Sequence, residues 1–208
     1  MKYPSQLSPT AVETVKLPSG KTVKIAKATP VFKLWTGKAV KETYGGKAVL
    51  DFYGQPQFAE LGILRIFERE GWQGVWVDTY RNKYRTSYWP KDSATLPDKQ
   101  AKLLEAIYKA NGTRSGCFDV FCWKGRDYIF AESKRCDQDK LRETQKQWIA
   151  SAIKADVPLR SLLVVEWGIL TIVLPKPETK EWVYSARLGR PVLIDLQYLS
   201  RERKAGKI

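Results

Sequence analysis

GCFDVFCWKGRDYIFAESK, residues 116–134, is the stretch on which the reading of this chain turns. Phe118–Trp123 and Tyr128–Lys134 are rich in aromatic and small apolar residues, and Lys124, Gly125, Arg126 and Asp127 between them have the composition of a turn. The pattern predicts two adjacent antiparallel strands. Side chains alternate across a strand, so Glu132 and Lys134 share a face with Phe130, while Ile129, Ala131 and Ser133 take the other. Asp119, on the preceding strand, approaches Glu132 on that same face if the hairpin closes through the polar turn.

Two carboxylates with a lysine beside them suit Mg²⁺, a hard cation that takes one or two protein carboxylates and keeps room for water and phosphate oxygens. Such an ion lowers the pKa of a bound water and neutralises charge on phosphorus, and Lys134 positions the water or supports the same charge. The chemistry implied is phosphodiester hydrolysis. The same residue types also decorate the wet faces of edge strands, so the spacing alone leaves both readings open.

Flanking segments add candidates. Gln57–Gly71, with Pro56 before it, predicts a helix whose apolar stripe of Ile63, Leu64 and Phe67 has Glu60 at its centre. Glu60 is either a metal ligand or supporting acceptor, or an acid favoured at a helix start by the dipole. Gly74–Tyr80 reads as a strand. Arg81, Lys83, Tyr84, Arg85 and Lys91 then interleave with Tyr88 and Trp89, a composition that suits DNA contact through phosphate gripping and base stacking, or simply a solvated loop.

Pro97–Asn111 predicts a second helix closed by Gly112, and Asp137–Ala155 a third. In the third, Gln145 interrupts a stripe of Leu141, Trp148, Ile149 and Ala152. Its amide reaches the site carboxylates or a substrate phosphate, unless it bonds only backbone. Ser161–Trp167, SLLVVEW, reads as a buried central strand. Val12–Lys16 and Thr22–Ile25 predict a hairpin, taken as an accessory sheet, and Thr29–Gln55 predicts irregular chain or short strands.

GCFDVFCW, FAESK and the later TQKQW together resemble the PD-(D/E)XK nuclease superfamily, in particular its VRR-NUC branch, over about half of the chain. The resemblance implies an α/β, restriction-endonuclease-like αβββαβ core with a mixed sheet, in which the Pro97 helix is an insertion. It also implies that Asp119 and Glu132 bind Mg²⁺, for which Mn²⁺ can substitute, with help from the Ser133 carbonyl and Glu60, and that Lys134 is the catalytic lysine. Phe118 stands where that family often has proline. On this reading residues 1–56 are an N-terminal extension, 57–167 the nuclease core and 168–208 a C-terminal extension with a basic tail; a homodimer is compatible with the family pattern.

The 208 residues carry a formal net charge of +14 and a pI near 9.7, a field that favours polyanions, nucleic acid first. There is no histidine, which removes Ser-His-Asp and Cys-His catalysis and H-E-x-x-H zinc sites. Cys117, Cys122 and Cys136 form neither a C-x-x-C pair nor a disulfide framework. No apolar run approaches the roughly 18 residues of a membrane span, and the N-terminus lacks the apolar core of a signal peptide, so the expectation is a cytoplasmic protein without membrane contact. The expected function is a metal-dependent deoxyribonuclease; the alternative is a DNA-binding protein that keeps a nuclease scaffold and does not cut.

Overall fold

The computed structural model describes residues 2–41, 43, 46–87 and 93–170, and the backbone of residues 180–185 and 190–195. Ala11–Lys16 (β1) and Thr22–Ala28 (β2) pair antiparallel around a loop in which the Leu17 N–H donates to the Lys21 carbonyl at 2.8 Å. Val31–Leu34 (β3), Leu50–Phe52 (β4) and Gln55–Gln57 (β5) follow as short strands, then helix α1 (Ala59–Arg69). Gln73–Asp78 (β6) and Lys83–Arg85 (β7) precede helix α2 (Asp98–Asn111), which Gly112 closes in a left-handed conformation. The predicted hairpin is Val120–Lys124 (β8) and Asp127–Arg135 (β9), and after it come helix α3 (Glu143–Lys154) and strand β10 (Leu162–Ile169).

These ten strands form one mixed sheet. Along it β7, β6, β8 and β9 are antiparallel neighbours, and β10 lies parallel to β9 through the register Leu162↔Phe130 to Trp167↔Arg135. The far edge of β10 is shared: Leu163–Val165 pair parallel with β2, and Gly168 and Ile169 pair parallel with β3. The hairpin of β1 and β2 is therefore not an accessory sheet, because β2 completes the central one. Residues 1–170 form one compact unit, so the segment 1–56 is continuous with the rest of it.

Alternation along the central strands sorts the core into two layers. Phe121, Phe130, Leu162 and Val164 face α2 and α3, meeting Leu104, Ile107, Trp148 and Ile149. Val120, Ile129, Ala131, Leu163 and Val165 face α1, meeting Leu61, Ile63, Leu64 and Phe67. A sheet apolar on both faces must be covered twice, and the near-continuous apolar run of β10 is what such a central strand requires. The chain is thus mixed α/β, with an open mixed sheet between helices.

Helix α3 begins at Glu143, six residues later than the apolar periodicity predicts. Asp137 has φ 60°, and the Asp139 carboxylate accepts the Arg135 N–H at 3.0 Å, so residues 136–142 turn away from β9 before a helix can start. Leu141 accordingly precedes the helix and packs at the margin of the core.

The second compact unit, Thr171–Ile208, contains an antiparallel pair, Lys180–Ser185 (β11) and Arg190–Asp195 (β12), in the register Ser185↔Arg190. The basic tail predicted beyond it lies outside the described residues, as do Tyr88, Trp89 and Lys91. Among the described residues, no helix is long and apolar enough to cross a membrane.

Candidate active site

Asp119 is delivered by a tight loop. Gly116 has φ 78°, and a Cβ there would lie 2.0 Å from the Thr144 carbonyl oxygen, so only glycine lets the first turn of α3 sit against the segment leading into β8. Phe118, in the position where proline was the comparison, is fully buried and stacked on Trp148 of α3 at 5.0 Å between ring centroids. That pair fixes the loop to the helix. Asp119 itself lies one residue before β8 begins; its carbonyl accepts the Val77 N–H at 2.7 Å, and its Oδ2 accepts the Ser133 N–H at 3.0 Å.

The last bond fixes which way the Ser133 backbone points. The ladder between β8 and β9 ends at Val120↔Ala131, and the N–H and C=O of one strand residue point to the same flank. Since the Ser133 N–H reaches Asp119, its carbonyl is directed to that same side, beyond the end of the ladder. The Ser133 hydroxyl, on the opposite face of the sheet from Glu132, accepts from Trp167 Nε1 at 2.9 Å.

Glu132 is 1 % exposed and Lys134 8 %, both on the α3 side of β9 as alternation predicts. Lys134 Nζ lies 2.7 Å from Glu132 Oε1. Gln145 Nε2 donates to the same oxygen, while Gln145 Oε1 accepts the Arg142 N–H at 2.9 Å and so caps α3. Gln145 is thus held at both ends and is not a plain backbone-bonded core amide. Glu132 Oε2, by contrast, is buried and, among the described residues, meets no side-chain donor; the Asp119 backbone N–H acts on the same carboxylate and favours its charged form.

Burial first, then repulsion from Glu132 and Glu60, pushes the Asp119 carboxyl well above the ordinary carboxylate range, against the pull of Lys47 and the Ser133 N–H. Burial likewise raises Glu132, with Lys134 opposing. Close carboxylates in a low-dielectric site cannot all ionise without a compensating cation. The Cys117 and Cys122 thiols are also pushed up by burial, which removes them as thiolate nucleophiles.

Glu60 is buried in the first turn of α1 and ion-paired with Lys47, a residue that sequence periodicity does not single out. Lys47 thus partners Glu60, the acid expected as an outer ligand or supporting acceptor, and among the described residues no group of three or more His, Cys, Asp or Glu side chains is arranged to hold a metal ion. The remaining set, Asp119 Oδ, the Ser133 carbonyl and Glu132 Oε2, is an all-oxygen donor set with two carboxylates. It fits Mg²⁺ or Mn²⁺, which keep most of their coordination for water and phosphate, and not a closed zinc site.

The site opens into a cleft of about 910 Å³ whose walls include Lys47, Arg81, Arg135 and Arg142. Two residues assigned to DNA contact do not belong to its surface. Arg85 is 1 % exposed and pairs with Asp78 at 2.8 Å, because the register Trp76↔Arg85 turns it into the interior. Tyr84 is half-buried, packs against the core around α2 and hydrogen-bonds Tyr108, so it is not a stacking platform. Arg81 does sit at the rim, exposed and 3.7 Å from Asp78, and Lys83 is half-buried on β7. The aromatic that stands at the mouth is Tyr80, 92 % exposed, with the Arg81 guanidinium 5.5 Å from its ring centroid.

Comparison with protein-family models, with curated proteins and with solved structures finds no match to this chain.

Proposed function

We propose that this chain is a divalent-metal-dependent phosphodiesterase that hydrolyses DNA, with Asp119 and Glu132 as the metal-binding carboxylates and the Ser133 carbonyl completing the protein's share of the coordination. The observation that carries the reading is the divided Glu132 carboxylate: one oxygen is held by Lys134 and Gln145, and the other is buried and, among the described residues, meets no side-chain donor. A buried acceptor left unsatisfied costs roughly 1–3 kcal/mol, more when charged, and so calls for a ligand. The order helix, strand, hairpin, helix, parallel strand in α1, β6, β8, β9, α3 and β10 supports the same reading, since it is the αβββαβ order of PD-(D/E)XK nucleases, with β7 and α2 inserted.

When bound, the ion supplies a water of lowered pKa and neutralises negative charge on the phosphate. The chain's own residues do the rest. Gln145 and Lys134 fix the orientation of Glu132, and the Ser133 N–H fixes that of Asp119. Lys134, within the cleft wall and largely buried, keeps a positive charge close to where charge develops on the phosphoryl oxygens, where low dielectric makes it most effective. Arg81, Arg135 and Arg142 along the cleft hold backbone phosphates without reading sequence.

The test is cleavage of plasmid, single-stranded, flap and four-way-junction DNA with Mg²⁺ or Mn²⁺. Glu132→Ala and Lys134→Ala are expected to lower the rate by about 10²–10³, the scale for removing one preorganised stabilising group. Undiminished cleavage in both variants would remove the assignment. Tight DNA binding by the wild type, with no product under any divalent ion, would favour the non-cleaving alternative.

A further inference from the structure

Lys47 lies between β3 and β4, outside any regular element, and its side chain is 35 % exposed. Its ammonium bonds Glu60 Oε1, stands 5.2 Å from the centroid of the Trp76 ring, and acts electrostatically on Asp119 and Asp78. Asp78 already has a buried partner in Arg85. The carboxyl groups left around Lys47 are then Glu60, Asp119 and Glu132, of which Glu60 is paired with Lys47 and Glu132 with Lys134.

We propose that Lys47 is a resident counter-cation of this carboxylate cluster, one that opposes entry of the divalent ion and, once displaced, presents its charge to a substrate phosphate. The inference rests on the metal-dependent reading given above. A like charge beside an ion site weakens cation binding, whereas a merely structural lysine that organised the ligands would strengthen it, so the sign of the effect separates the two roles. Lys47 is suited to displacement: it sits on a loop between β3 and β4, its side chain is partly exposed, and its four-carbon stem is flexible. Glu60, buried on α1, then serves as the docking point that returns it.

Calorimetric titration of Mn²⁺ alone into the wild type, Lys47→Met, Lys47→Gln and Lys47→Arg reads the first half. The two neutral variants are expected to bind Mn²⁺ about 3- to 30-fold more tightly, and Lys47→Arg to stay within about twofold of the wild type. Anisotropy of a labelled duplex in Ca²⁺ reads the second half, with the neutral variants binding at least about threefold more weakly. Using two neutral replacements, each checked by thermal melting, guards against loss of fold in one of them. Wild type that binds Mn²⁺ while neither folded neutral variant binds it more tightly overturns the role of Lys47 alone; wild type that takes up no Mn²⁺ overturns this inference together with the metal-dependent reading.

Discussion

Gln145 of α3 donates to Glu132 of β9 through its amide nitrogen and accepts the Arg142 N–H through its amide oxygen, so one side chain both caps a helix and aims a carboxylate. Replacing it with leucine removes both bonds while Lys134 still holds Glu132. Gln145→Leu is expected to cost about 1–2 kcal/mol of stability from the lost cap. It should also lower cleavage by roughly tenfold or more through a less fixed Glu132, in proportion to about 1.4 kcal/mol per tenfold. Urea unfolding and single-turnover kinetics measure the two separately.

The raised Asp119 carboxyl makes metal-free stability depend on pH. A carboxyl whose folded pKa lies above its unfolded value of about 3.9 binds more protons in the folded state across that interval, so stability is greatest below it and is lost as pH rises through the folded value. Asp119→Asn keeps an oxygen for the Ser133 N–H and removes the charge. In EDTA this variant should melt higher than the wild type near neutral pH and show a flatter pH profile, yet bind no Mn²⁺. A variant that melts lower at every pH would contradict the repulsion inferred here.

At Gly116 a methyl group has no room and the backbone is left-handed. Gly116→Ala must push the loop away from Thr144 and carry Asp119 with it. A loss of about 3 kcal/mol or more in denaturant unfolding is expected, at the upper end of single-residue effects, together with loss of cleavage.

Arg85 and Arg81 separate burial from surface charge. Removing Arg85 takes from the buried Asp78 its nearest cation, and Arg85→Ala is expected to cost about 3–5 kcal/mol of stability. Arg81→Ala, at the exposed rim, should leave the melting temperature nearly unchanged and reduce the salt slope of DNA binding by about one. If the stability loss appeared in Arg81→Ala instead, the assignment of the two roles would be reversed.

Tyr80 tests whether the cleft takes an unpaired base. Tyr80→Ala is expected to weaken binding of single-stranded oligonucleotides by about 1–3 kcal/mol, the range for loss of one base–aromatic stack, while Tyr80→Phe preserves it. Anisotropy with single-stranded and duplex probes in Ca²⁺ distinguishes stacking from general loss of affinity, since stacking should fail on the single strand alone.

Local patterns made part of the site readable from the sequence. Glu132 and Lys134 follow from strand alternation, and Gln145 from an interrupted helical stripe. The faces on which these residues lie are legible because period-2 and period-3.6 rules act within a single element. Lys47 escaped notice because it lies in a stretch with no periodicity, and its partner Glu60 is on the other side of β4 and β5 in the chain. Tyr84 and Arg85 misled because a basic and aromatic composition does not reveal pairing; only the β6–β7 register turns them inward. The same holds for β2 and β3, whose parallel docking on β10 joins segments more than a hundred residues apart and leaves no local trace.

That docking has a consequence for how the molecule comes into being. On a ribosome, β9 can zip against β8 as soon as both have emerged, but its other flank, and the edge that anchors β2 and β3, wait for Leu162–Ile169. Such late, distant pairings are slow steps of assembly. The segment bearing Trp167, which holds Ser133 from the far side, is among the last of the first unit to be synthesised. Until that closing strand arrives, the flank of β9 that carries Glu132 and Lys134 lacks its parallel neighbour.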